Sequence, residues 1–168
     1  MKKTVLILLG LMGFQLVVLS QKFAFVDTDY VMRNIPAYEA AQGQLNQLSR
    51  QWQQEIEALY QEVATLYKQF QEESVFLSGE MRTNKENAII EKERQAKMLQ
   101  QKYFGQDGEL TKRQETLIQP IQEQIVAVLR EIAREEQIEA IFEKSGMLFL
   151  APKLDKSNQV LERLGYKK

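Results

Sequence analysis

From Ala37 to about Val75 the chain holds no proline and only one glycine, Gly43, while its apolar residues recur at Tyr38, Ala41, Leu45, Leu48, Trp52, Ile56, Leu59, Val63, Leu66 and Phe70. Those steps are threes and fours throughout, the spacing of one face of an α-helix. They follow a heptad except at Trp52, where two successive steps of four insert an extra residue and locally relax a left-handed supercoil. Gln42, Gln44, Gln47, Gln51, Gln53 and Gln54 lie between the stripe positions, so the other faces are wet. A helix of about 40 residues reaches about 60 Å. That exceeds the width of a domain of this size, so the helix must project from something and its stripe needs a partner.

The partner follows in the chain. Ser78-Gly79 has turn chemistry, and Thr83 or Asn84 is placed to cap a restarting helix. The next stretch carries Ile89, Ala96, Leu99, Tyr103, Leu110, Leu117, Ile121, Ile125, Val128 and Ile132, again at sums of threes and fours. Two long helices joined by a short turn make an antiparallel hairpin. Gly105, Gly108 and Pro120 interrupt the second one, either as kinks in a continuous helix or as divisions between separate pieces. The continuous spacing favours a kinked, unbroken arm. Gly43, Gly105, Gly108 and Pro120 are the hinge positions the sequence offers.

The ends of the chain read differently. Phe23 to Val26 reads as a strand, and Ile138 to Phe142 and Met147 to Leu150 as two more, separated by Glu143-Lys144-Ser145-Gly146. A last helix from about Asp155 to Leu164 follows Pro152 and stops at Gly165. The fold class is therefore α+β, mostly α: a small β-strand base carrying a long antiparallel helical hairpin. The base comprises 21–36 and 121–168, and the arm 37–120 with its tip near 75–85. Two chain ends are too little for a self-sufficient core, and short strands leave open edges, so the base is expected to oligomerise.

Residues 1–20 stand outside this plan. Lys2 and Lys3 precede an uncharged apolar run, Val5 to Leu19, ending in Val18-Leu19-Ser20, which is the layout of a secretory signal peptide cut after Ser20. An uncleaved membrane anchor is the alternative, but the run is short and broken by Gln15. Cleavage leaves no integral membrane segment. With no cysteine present, lipid attachment at a cysteine is excluded. Of the 22 basic residues, the 20 beyond the leader face 23 acidic ones, a formal charge of −3. That balance gives no reason to expect nucleic acid as a partner.

No histidine is present, so the commonest general base is missing. No phosphate loop, nucleophile elbow or metal-ligand spacing appears, and neither an enzyme nor a cofactor is expected. Glu72, Glu73, Glu91 and Glu93 lie among Arg82, Lys85, Lys92, Arg94 and Lys97, the pattern of a solvated, salt-bridged helix surface.

The ends, "KFAFVDTDYVMRNIP" and "IEAIFEKSGMLFLAPKLDKSNQVLERLG", with the charged and Gln-rich hairpin between them, resemble the Skp/OmpH family of periplasmic chaperones for outer-membrane proteins. The similarity covers essentially the whole chain after the leader. "FGQDGEL" and "LIQPIQEQI" look like the Bacteroidetes-type variant of that family. The resemblance implies a homotrimer whose strands assemble into a small barrel, with three hairpins around a cavity that holds unfolded β-barrel proteins without ATP. The best-known members carry a strong positive excess that this chain lacks, so apolar contact is the expected attraction.

For assembly of the base the candidates are Phe23, Phe25, Val26, Ile138, Ile141, Phe142, Leu148 and Leu150, each of which is alternatively core of its own subunit. For client contact they are Tyr60, Tyr67, Phe70, Val75, Phe76, Leu77, Met81 and Ile90, toward the arm tip or beside the main stripe. Each is alternatively a helix-to-helix packing residue, the favoured reading for Phe70 because it continues the stripe, whereas Phe76 and Leu77 fall at a turn with little to bury them. The expected function is a periplasmic, ATP-independent holdase for unfolded outer-membrane β-barrel proteins. The rival is a structural coiled-coil spacer of the envelope that binds a folded partner.

Overall fold

A computed structural model describes residues 22–166, so the expected signal peptide and its cut after Ser20 lie outside the described residues. Strand β1 (Phe23–Val26) runs into helix α1 (Thr28–Arg33), whose N-cap Asp27 accepts the Tyr30 N–H at 2.8 Å. Helix α2 (Pro36–Glu73) follows directly, with proline at its first position, where no backbone donor is needed. At about 1.5 Å per residue its 38 residues extend about 57 Å.

A turn leads to helix α3 (Gly79–Phe104), capped by the Ser78 hydroxyl, which accepts the Met81 N–H. Ser78 thus takes the role expected of Thr83 or Asn84, because the helix restarts one full turn earlier. The hairpin is antiparallel: Glu73 meets Lys85, Glu62 meets Lys92, Tyr60 meets Gln100, and Glu55 meets Tyr103, so partners rise on one helix as they fall on the other. The stripe expected on α2 does turn inward, with Ala41, Leu45, Ile56 and Val63 buried.

The second helix is not continuous. It ends at Phe104, and helix α4 (Glu109–Glu136) begins after Gly108. Gly105 and Gly108 have ψ angles of 169° and 171°, extended values that cannot continue a helix. The heptad positions Tyr103, Leu110 and Leu117 are still seven apart, so the apolar spacing survives a break that the backbone does not. Pro120, by contrast, lies inside α4 without ending it.

At the end of α4, Gln137 adopts the left-handed conformation (φ 56°, ψ 46°), and the Ile138 N–H donates back to the Ala133 carbonyl. That turn directs the chain into strand β2 (Ala140–Glu143), which pairs in parallel with β1 in the register Phe23 with Ala140 through Val26 with Glu143. The whole arm is therefore the crossover between two paired strands. A short 3₁₀ turn (Pro152–Leu154) precedes helix α5 (Ser157–Arg163). Gly165 (φ 85°) closes α5, with the Gly165 and Tyr166 N–H groups donating to the Glu162 and Leu161 carbonyls.

Among the described residues the sheet has two strands, not three. Met147–Leu150 has strand composition, but among the described residues it pairs with no strand; the Met147 N–H instead closes a turn by donating to the Lys144 carbonyl at 3.1 Å. A strand exists only with its partner.

The base core joins both chain ends: Val26, Val31 and Ile35 pack with Ile121, Ile125 and Ile132 of α4 and with Val160 and Leu161 of α5. Full burial of such side chains is worth about 1.5–3 kcal/mol each. A second cluster, Ala41, Leu45 and Ile118, closes the root of the arm.

A buried polar knot fastens α5 to β1. Asp155 accepts the Ser157 N–H at 2.9 Å and its hydroxyl at 2.6 Å, while the Ser157 oxygen accepts the Asp27 N–H at 2.8 Å. Lys144 completes it with an ion pair to Asp155 at 2.7 Å. Burial opposes ionisation of Asp155, but the hydrogen bonds from Lys144 and Ser157 outweigh it and hold the carboxyl below the usual aspartate range. Nearby, Lys156 and Gln159 lower Glu136 in the same way.

Candidate functional site

Alternation along β1 sends its smaller side chains inward and its phenylalanines outward. Ala24 and Val26 are buried against the helices, and Ile141, opposite Ala24, packs on the same core. Phe23, Phe25 and Phe142 occupy the other face, with Phe142 lying 6.0 Å from Phe23 and 5.7 Å from Phe25 between ring centroids. Phe23 and Phe142 are each a little under half exposed. The three rings line an open cavity of about 630 Å³ with Ile138, Leu154, Glu136, Lys22, Lys153 and Lys156.

The assembly candidates thus divide. Val26, Ile138 and Ile141 serve their own subunit's core, as buried or packed members. Phe23, Phe25 and Phe142 form an aromatic face that the described residues cover only in part. Leu148 is 105% exposed and Leu150 partly exposed, in the segment that lacks a strand partner. Phe149, between them, is also well exposed, at 82%, although the sequence singles out only the two leucines.

On the arm, Tyr60 and Tyr67 lie seven residues apart on one flank of α2, both exposed, and the Tyr60 hydroxyl reaches Gln100 of α3 at 3.4 Å. Phe70 is partly buried, consistent with its place in the stripe. The tip turn presents Val75 and Phe76, 84% and 87% exposed, with Leu77 partly covered. Met81 and Ile90 are exposed on α3, as is Met98, which the spacing did not single out.

Several charges around these groups are paired. Lys85 meets Glu73, Lys92 meets Glu62 at 2.6 Å, and Arg94 meets Glu91 at 2.5 Å. Hydrogen bonds from Arg94 and Gln95 pull Glu91 down to about 2. Exposed pairs of this kind contribute little to stability. Among the described residues no group of three or more carboxylates is placed to hold a metal ion, and no helix is long and apolar enough to cross a membrane.

Fold and surface together define a class: a helical-hairpin protein whose two chain ends build a β-containing base, with apolar side chains uncovered on base and arm alike. A family model described as Outer membrane protein (OmpH-like) matches residues 22–164, and the chain belongs to that family. Its general role is that of a periplasmic, non-enzymatic chaperone family associated with outer-membrane proteins. A comparison with curated proteins found no match.

Proposed function

We propose that this protein is an ATP-independent holdase that binds unfolded outer-membrane β-barrel proteins in the periplasm and keeps them from aggregating before membrane insertion. The observation that carries this reading is the apolar tip, where Val75 and Phe76 are almost fully exposed on an arm that also leaves Tyr60, Tyr67, Met81 and Ile90 uncovered. A strand of an outer-membrane barrel alternates apolar and polar residues. Scattered apolar groups on an otherwise polar wall hold such a chain by many weak contacts without selecting one conformation.

The working unit in this reading is a homotrimer joined through the base, 21–36 and 121–168, with arms 37–120 enclosing the client. The aromatic face of Phe23, Phe25 and Phe142 and the uncovered Leu148 and Leu150 support assembly there. The leader is removed after Ser20. The test dilutes a urea-unfolded outer-membrane β-barrel protein into buffer with the chain from Gln21 to Lys168, without nucleotide. Light scattering is followed, and then the mass of the soluble fraction. Suppressed scattering with a complex of client and chaperone oligomer is expected. Unchanged aggregation beside a stable, client-free oligomer would replace this reading with the envelope spacer.

A further inference from the structure

The heptad irregularity at Trp52 and the break at Gly105–Gly108 lie at one level of the arm. Helix α2 passes this level unbroken, while the returning chain is divided into α3 and α4. On the base side, α2 packs with α4 through Ala41, Leu45 and Ile118. On the tip side it faces α3, through Glu62 with Lys92 and Tyr60 with Gln100. The arm therefore consists of two helical pairs that share α2, and an interrupted strand at their junction is the natural place to bend.

The junction is nevertheless filled. The Trp52 ring stacks on Tyr103 at 4.6 Å between centroids and 9° between planes, and meets the edge of Phe104 at 6.3 Å. The Tyr103 hydroxyl donates to Glu55 at 2.9 Å, one turn along α2 from Trp52, and the Lys102 ammonium lies 5.3 Å from the Tyr103 ring. The backbone is equally tight. A Cβ on Gly105 would lie 2.4 Å from the Gln101 carbonyl oxygen, and one on Gly108 would lie 2.8 Å from that of Tyr103. Both glycines have negative φ, so glycine serves here for closeness of approach and not for a left-handed turn. Moving the end of α3 off α2 at this level requires Trp52 to leave Tyr103, because α2 carries one ring and α3 the other.

We propose that the junction is a latched joint: the end of α3 swings away from α2, and so against α4, only when Trp52 unstacks from Tyr103. The latch is tested on the full chain after the leader, which has no cysteine of its own. Lys97→Cys on α3 and Gln114→Cys on α4, both exposed, carry spin labels across the junction, and labelled chain is diluted into an excess of unlabelled chain so that only distances within one chain are read. One narrow distance is expected with Trp52 present, and nearly the same with Trp52→Phe, which keeps a ring. Trp52→Ala is expected to add a second, displaced population, raising the open fraction on the order of tenfold. An unaltered chain already as broad as Trp52→Ala overturns the proposal in favour of a free hinge. A Trp52→Ala distribution as narrow as the original overturns it in favour of a joint held by backbone alone. If Trp52→Ala loses helix content, Trp52→Leu, which keeps apolar bulk without the stacked ring, is judged by the same two criteria.

Discussion

Phe142 lies across the parallel strands from Phe25, 5.7 Å between ring centroids, on the face of the sheet turned away from the chain's own core. A charge placed there meets no core residue of its own subunit. Any surface that covers this face must bury it. Phe142→Glu is therefore expected to leave the helical content of the chain intact and to weaken self-association by about 30-fold or more, the scale of a 2 kcal/mol interface hot spot. Sedimentation over a concentration series measures it. An unchanged oligomer would exclude this face from the interface.

The Asp155–Ser157 knot makes the base acid-sensitive in a defined direction. Asp155 titrates below the ordinary aspartate value of about 3.9, so its contribution is complete above that value and is lost as pH falls through the lower native-state value. Asp155→Asn is expected to cost about 2 kcal/mol at pH 7, from hydrogen bonds to a charged, largely buried group. The difference between the two proteins should shrink below about pH 4. Urea unfolding at pH 7 and pH 3, at one protein concentration because assembly adds to apparent stability, checks both the size and the sign.

Gln137 occupies a position that glycine usually fills. A left-handed non-glycine residue costs about 1–2 kcal/mol, against about 0.5–1 kcal/mol of backbone entropy that glycine loses on folding. Its side chain is exposed, so nothing is unpacked by its removal. Gln137→Gly should stabilise the chain by about 0.5–1 kcal/mol, seen as a higher urea midpoint at unchanged slope. Gly165→Ala, at φ 85°, should act in the opposite direction.

The arm was readable in the sequence because a helical stripe is a local, periodic signal, and the closing pair of strands because each carries its own composition. What escaped depended on relations between distant residues. Tyr103, Leu110 and Leu117 keep heptad spacing across Gly105–Gly108, so periodicity alone could not distinguish a kinked helix from a divided one. Met147–Leu150 has strand residues, but pairing depends on a neighbour the single chain does not supply. The alternation of Phe23 and Phe25 with Ala24 and Val26 was visible, yet which face turns inward is decided by α4 and α5 packing over the small side. Trp52 and Tyr103 are far apart in sequence, and the only local sign of their contact is the extra residue in the stripe at Trp52.

The tip and the stripe make opposite demands on a mutation. Val75 and Phe76 touch almost nothing, so replacing both with serine should change unfolding free energy by no more than about 0.5 kcal/mol. Val63 is buried between the arm helices, and Val63→Ala should cost about 1–3 kcal/mol through lost contact and the space left behind. If the exposed tip is a client surface, the double serine variant will lose capacity to suppress aggregation of an unfolded β-barrel protein while its melting curve stays in place. Val63→Ala will lower the melting temperature and, below it, retain that capacity. Measuring both quantities on both variants separates a tip that binds from a tip that is merely uncovered: equal protection by the serine variant and the original chain would remove the tip from the client surface and leave the flank residues Tyr60, Tyr67 and Ile90 as the part to test.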